Sequence, residues 1–248
     1  LLSRAENGKL TDAGNSMSPD IERVMSLNPD AILLSPFENA GYGRIGKMGI
    51  PIIECADYLE TSPLGRAEWI KFFGLLYGKE VEADSIFTEV EKNYTELRDK
   101  IGVLSSAPVV ISELKSGSAW YMPGGKSYMA RFFKDAGAAY PWSDNPETGS
   151  IPLSFETVFN RAGEADIWLI KSFNVSELSY RTLQKEYAPY ARFKAFREKK
   201  IYGCDSSRCN YYEETPFRPD LLLQELAALF HPGLFPDYRF RYYQPLSE

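Results

Sequence analysis

The sequence predicts an α/β fold in two modest lobes, on three observations. Short apolar runs alternate with helical segments, one long amphipathic stripe divides them, and the two halves carry a weak echo of each other. At 248 residues and 44% hydrophobic, the chain can bury a sizeable core, and this length suits two lobes as well as one sphere.

The apolar runs 31–35 and 51–55 precede the stripe, and runs 108–114, 167–171 and 200–204 follow it. Alternation of such strands with helices implies largely parallel sheets, whose functional loops follow the carboxyl ends of the strands. Those loops are 36–42, 56–62, 115–121, 172–175 and 205–212. If the two lobes face one another, the loops line one cleft. The stripe occupies 81–104, where Phe87, Val90, Tyr94, Leu97, Ile101 and Leu104 recur at steps of three and four, a helical period. At about 1.5 Å per residue that helix is roughly 35 Å long. It serves either as a rigid spine or as an ordinary long surface helix. The echo pairs 18–30 with 153–166: Glu22 and Glu156 each open a short helix, and Asp30 and Asp166 each precede a strand. Acidic residues favour a helix's first turn, so capping accounts for both glutamates as readily as a shared role does.

A net charge of −6 without a dense basic run argues against a phosphate-backbone binder. No stretch approaches the ~20 apolar residues that a membrane-spanning helix requires. The chain opens in a polar segment with no basic-then-apolar leader, and the expectation is that the native start is missing. Of three cysteines, Cys55 stands alone, while Cys204 and Cys209 form either a small disulfide loop or free thiols.

Little points to catalysis. His231 is the only histidine and sits near a helix end, which reads as structural and leaves no multi-histidine zinc site. Gly124-Gly125-Lys126-Ser127 looks like the tail of a phosphate-binding loop, but Trp120 stands where its first glycine belongs. Lys126 is then either an anion contact or a solvated lysine. A Ser–His–Asp arrangement would have to recruit His231, and the Glu213–Glu214 pair reads as a solvated face. No enzyme activity and no resident cofactor are expected. Aromatic residues make up 14% of the chain, and Phe37, Tyr42, Tyr58, Trp120, Tyr121, Phe173, Tyr211 and Tyr212 fall in the predicted cleft loops. Flat apolar faces with polar edges suit a large organic ligand. Arg44, Lys115, Lys171 and Arg208 add charge for ligand carboxylates. Each aromatic alone reads as core before contact, and only the set points to a ligand. Tyr211–Tyr212 and Tyr242–Tyr243 offer phenolates to bare ferric iron, but adjacent side chains point apart.

Four segments carry a family resemblance. They are Ser18-Pro-Asp-Ile-Glu-Arg-Val-Met-Ser-Leu-Asn-Pro-Asp30-Ala-Ile-Leu-Leu34, Met48-Gly-Ile-Pro-Ile-Ile53, Ser62-Pro-Leu-Gly-Arg-Ala-Glu68-Trp-Ile70, and the run from Gly124 through Leu153-Ser-Phe-Glu156 to Ala165-Asp-Ile-Trp168. With the spine between them, they resemble the periplasmic substrate-binding proteins of ABC importers for ferric siderophores, haem and cobalamin. The resemblance implies two Rossmann-like α/β lobes bridged by a single long helix, the class III periplasmic binding protein fold. The organisation would be a first lobe at 1–80, a bridging helix at 81–104 and a second lobe at 105–248. The first lobe lacks room for the strand, helix and strand with which the family begins. The resemblance further implies a monomer, periplasmic or lipid-anchored outside the inner membrane, that holds a metal chelate or corrinoid as cargo. Glu22 and Glu156 match the surface glutamates that pair with the permease, with Glu68 as a substitute on the first lobe. Two other readings stay open. One is a surface lipoprotein that holds haem or a corrinoid without a transporter. The other is an enzyme on a similar two-lobed scaffold, which would need a cysteine cluster or nucleotide loop that the sequence lacks.

Overall fold

Local capping chemistry sets the first elements. In the computed structural model, residues 7–8, 10–15, 18–36, 42–173 and 178–248 are described. Strands β1 (Gly14–Asn15) and β2 (Ser18–Pro19) pair antiparallel and lead into helix α1 (Ile21–Leu27). Asp20 caps that helix, its Oδ1 accepting from the Arg23 amide at 3.0 Å. Asn28 ends it in the left-handed region at φ 44°, which asparagine tolerates. Strands β3 (Ile32–Leu34) and β4 (Ile52–Glu54) then pair in parallel, with Ile32 opposite Ile52. These elements belong to a compact unit spanning Leu1–Leu59.

The second unit, Glu60–Glu248, opens with helix α2 (Pro63–Leu76), whose Ser62 cap and Pro63 suit a helix start. Helix α3 (Glu80–Gly102) follows and packs chiefly on α2. A Cβ on Gly74 would lie 2.5 Å from that of Ala83, so glycine is what lets the two helices meet at their turn. The 23 residues of α3 bury Phe87, Val90, Tyr94 and Ile101, the expected stripe; Leu104 lies beyond the helix end. Contacts group residues 60–80 with this long helix, whereas the sequence reading puts them in the first lobe.

Beyond α3 the chain runs through β5 (Val110–Ser112), β6 (Lys115–Ser116), β7 (Ala119–Pro123), α4 (Tyr128–Asp135), β8 (Ser150–Leu153), α5 (Phe155–Ala162) and β9 (Ile167–Ser172). It continues through α6 (Tyr180–Glu186), β10 (Ile201–Asp205), α7 (Pro219–Phe230) and β11 (Gln244–Pro245), with helical turns at Lys194–Arg197 and Tyr211–Glu214. One sheet has the order β11-β10-β9-β5, with β5, β9 and β10 parallel and β11 antiparallel at the edge. Val110 and Ile111 of β5 and Ile167 to Ile170 of β9 are all buried, as parallel strands covered on both faces require. A second sheet, β6-β7-β8, is antiparallel. Residues 115–121, expected as a loop, are therefore a hairpin, turning at Gly117 with φ 58°. Helix α7 packs on α3 with a largely buried surface. No helix among the described residues is long and apolar enough to cross a membrane.

Asp166, the acid before β9, ties the sheet to its neighbours. Its Oδ2 accepts from the Val109 amide at 2.8 Å, and its Oδ1 from Lys194 Nζ at 2.7 Å. Burial alone would raise its pKa, but the Lys194 ammonium and the Val109 amide override that and hold it below the ordinary carboxylate value. A depressed folded pKa contributes stability that is present above the unfolded value and is lost as pH falls through the folded one. Asp166→Asn is therefore expected to lower the melting temperature at neutral pH and to flatten its decline on acidification, read by thermal unfolding across pH 2–7. A variant with the wild-type acid decline would show that Asp166 carries none of it.

Candidate functional site

The site grows from the end of β5, where three successive backbone groups are held by buried aromatic side chains. Trp120 Nε1 donates to the Ser112 carbonyl at 3.0 Å, and Trp168 Nε1 donates to the Glu113 carbonyl at 2.9 Å. The Lys115 amide donates to Tyr190 Oη at 3.1 Å. Trp120, Trp168, Tyr190 and Phe193 pack together, the contacting rings 5.2–5.6 Å apart at their centroids. Aromatic pairs at this spacing add to the stabilisation from burial, and each indole places its polar edge where a donor is needed. Held this way, Glu113 adopts φ 65°, a left-handed conformation that costs energy for a residue with a Cβ.

That turn brings the Glu113 carboxylate to Lys171, near the end of β9, with which it forms an ion pair. Burial disfavours the Lys171 charge, but the facing Glu113 carboxylate outweighs it and holds the pKa above the ordinary lysine value. Lys171 stays an ammonium. Around the pair opens a cleft of about 630 Å³, walled by Lys115 and Ser116 of β6, Tyr121 of β7 and Met129 of α4, with Gly149 and Glu186 at its edges. This volume lies in the range of small-molecule sites. Tyr121 is 49% exposed, and its hydroxyl has no partner among the described residues. Lys115 Nζ reaches the Gly117 carbonyl and lies 5.2 Å from the centre of the Tyr187 ring. The cleft thus offers an aromatic face, a cation without a carboxylate partner among the described residues, and a charge pair.

Of the residues expected at a ligand site, Lys115, Tyr121 and Lys171 are brought together here. Trp120 is not a contact: it is 0% exposed and props the wall from beneath. Tyr211 is also core, its hydroxyl 3.6 Å from Met129 Sδ and its pKa pushed up to about 12 by burial. Neighbouring Tyr212 is exposed instead. Lys126 and Arg208 line two other cavities, Arg208 beside Asp205 at 3.2 Å. Phe173 is 74% exposed and outside the cleft lining. Tyr42 and Tyr58 lie in the first unit, donating to Glu54 and to the Pro36 carbonyl, and Phe37 lies outside the described residues. Cys204 and Cys209 are free thiols with their sulfurs 3.7 Å apart, longer than a disulfide bond. His231 caps the end of α7, 3.2 Å from the Ala136 carbonyl. Sequence reasoning missed Glu113 and Met129. A charged residue closing the apolar run before Leu114 was the available signal for the first.

Glu22 and Glu156 are both exposed, and each is the second residue of its helix, α1 and α5. Asp20 and Ser154 take the capping role itself, Ser154 Oγ accepting from the Thr157 amide at 3.1 Å. Neither glutamate has an ion-pair partner among the described residues. No group of three or more His, Cys, Asp or Glu side chains among the described residues is placed to hold a metal ion.

Residues 2–207 match the sequence profile of a family described as periplasmic binding protein. The chain is 31% identical over 239 residues to an uncharacterized lipoprotein of Methanocaldococcus jannaschii, covering 92% of this chain and 54% of that protein. The chain thus spans about half the length of that relative, and 63% of a second lipoprotein from the same organism that is 26% identical. Among solved structures it is similar to a periplasmic heme binding protein from Pseudomonas aeruginosa, with a TM-score of 0.70 at 18% identity over 91% of this chain and 80% of that one. It is also similar to S. aureus IsdE complexed with heme, with a TM-score of 0.68 at 20% identity over 88% and 83%. At these identities the likeness establishes the fold, an α/β fold of the class III binding-protein type.

Removing one partner of the Glu113–Lys171 pair leaves a poorly hydrated charge. Glu113→Ala is expected to cost about 1–3 kcal/mol in urea unfolding, more than Glu156→Ala, which removes an unpaired surface carboxylate. Equal stability of the two variants would contradict a fixed pair at the cleft floor.

Proposed function

This chain belongs to the periplasmic binding protein family, and from that premise we propose that it captures a pre-formed metal chelate and delivers it to the permease of an ABC importer. The cargo is a ferric siderophore or haem, or cobalamin. The observation that carries the reading is the 630 Å³ cleft at the ends of β5, β7 and β9, where Tyr121, Lys115 and Lys171 meet. A conjugated or aromatic chelate stacks on the half-exposed Tyr121 ring, and its carboxylates or phenolates pair with Lys115, while Lys171, held by Glu113, forms part of the cleft floor. The protein acts as a monomer outside the inner membrane, in the periplasm or held there by a lipid anchor. No step of this role calls for chemistry on the cargo.

Delivery runs through Glu22 and Glu156. Both are exposed, neither is needed as the cap of its helix, and neither is neutralised among the described residues. An exposed unpaired carboxylate at an equivalent helix position in each half is suited to arginines of a membrane partner, where charge complementarity fixes register and speeds encounter.

Absorbance titration with haem, cobalamin and a ferric catecholate reads the cargo directly, because the three chromophores differ. One of them is expected to bind with a changed spectrum, and Tyr121→Ala to weaken it about tenfold, roughly 1.4 kcal/mol. Silence toward all three removes the ligand assignment. For docking, the Glu22→Ala/Glu156→Ala protein is expected to bind cargo as wild type does and to lose uptake in cells carrying the cognate importer; undiminished uptake refutes those positions.

A further inference from the structure

Next to the cleft, sharing Ser127 with it, lies a cavity of about 710 Å³ in the second unit, around α4 and the segment that precedes α2. We propose that it is a separate anion-binding site for a small organic molecule bearing phosphate or carboxylate groups, held by Lys126, Arg131 and Lys134. The chain has 34 acidic and 28 basic residues, yet no carboxylate lines this cavity and three cations do. Lys126 and Lys134 make no ion pair among the described residues. Arg131 is engaged by Asp135 through Nε alone, at 2.9 and 3.0 Å, which leaves its two terminal amino groups to face a ligand.

Nearby carboxylates already have partners, Asp135 with Arg131 of the cavity wall itself. Asp135 also accepts from Tyr94 at 2.8 Å, Asp144 is held by Arg161 at 2.7 Å, and Glu60, beside Thr61, accepts from Trp69 Nε1 at 3.1 Å. The loop that carries Lys126 is built in place. A Cβ on Gly125 would lie 2.4 Å from the Trp142 carbonyl oxygen, so only glycine permits that approach, and the Lys126 amide donates to the Glu147 carbonyl at 3.0 Å. Lys126 and Lys134 place two like charges without ion-pair partners among the described residues at one concavity, while Arg131 is partnered by Asp135, and a bound anion offsets the lysine charges while gaining charge-assisted hydrogen bonds. The volume exceeds what a bare oxyanion fills, and Ala130, Ala138 and Ala139 supply an apolar wall, which is why an organic anion fits.

The proposal stands apart from the chelate reading, since it uses none of Lys115, Tyr121 or Lys171. Calorimetric titration at low ionic strength with inorganic phosphate and with citrate tests it on the intact chain and separates the two anion classes. Binding of at least one probe is expected, weakening as salt is added. Lys126→Ala/Lys134→Ala is expected to reduce that binding by about tenfold or more, and Lys126→Arg/Lys134→Arg to retain it. Tyr121→Ala, which lies in the cleft, is expected to leave it unchanged. The proposal is overturned if neither probe binds the wild type, or if the double alanine variant binds as the wild type does. Chelate spectra of the same proteins report on the cleft separately, so either reading can fail alone.

Discussion

The structure around the cleft depends on one constraint, the capture of the polypeptide leaving β5 by three buried aromatic side chains. A strand that ends inside a domain exposes carbonyls and amides that must find partners. Here the Trp120 and Trp168 indoles and the Tyr190 hydroxyl supply them for Ser112, Glu113 and Lys115. Because those rings also pack on one another and on Phe193, the groups that satisfy the backbone are fixed by the core itself. The left-handed turn at Glu113 is tolerated because its surroundings determine it, and that turn positions the carboxylate against Lys171.

A binding protein benefits from this arrangement. Under the proposed reading, cargo at this cleft would meet a floor already ordered, at little further cost in entropy, and the Glu113 carboxylate holds in its charged form a lysine that burial alone would tend to neutralise. Lys115 and Tyr121 lie on the β6–β7 hairpin. Proteins of one fold hold different ligands with different residues, so the fold does not by itself choose the cargo.

Much of the fold was legible because it rests on local periodicity. Phe87, Val90, Tyr94 and Ile101 announced the long helix and are the residues it buries, and each expected parallel strand lies within a residue or two of its observed bounds. The site was legible only in part. Lys115, Tyr121 and Lys171 follow from the rule that functional groups gather at the carboxyl ends of parallel strands. Trp120 and Tyr211 misled because an aromatic residue in a predicted loop carries the same composition whether it faces solvent or core. Residues 115–121 pair as a hairpin, and in a strand alternate side chains face opposite ways, which sends Trp120 inward and Tyr121 outward. Glu113 escaped notice because its role depends on a backbone conformation that only tertiary contacts impose.

The central claim is capture of an intact chelate rather than a bare ion. Native mass spectrometry of the protein with haem, cobalamin, a ferric siderophore or uncomplexed ferric iron separates the two directly. The account predicts a one-to-one adduct with the mass of an intact chelate or corrinoid and none with free iron. An adduct of bare iron, with no retention of any intact chelate or corrinoid, would contradict it.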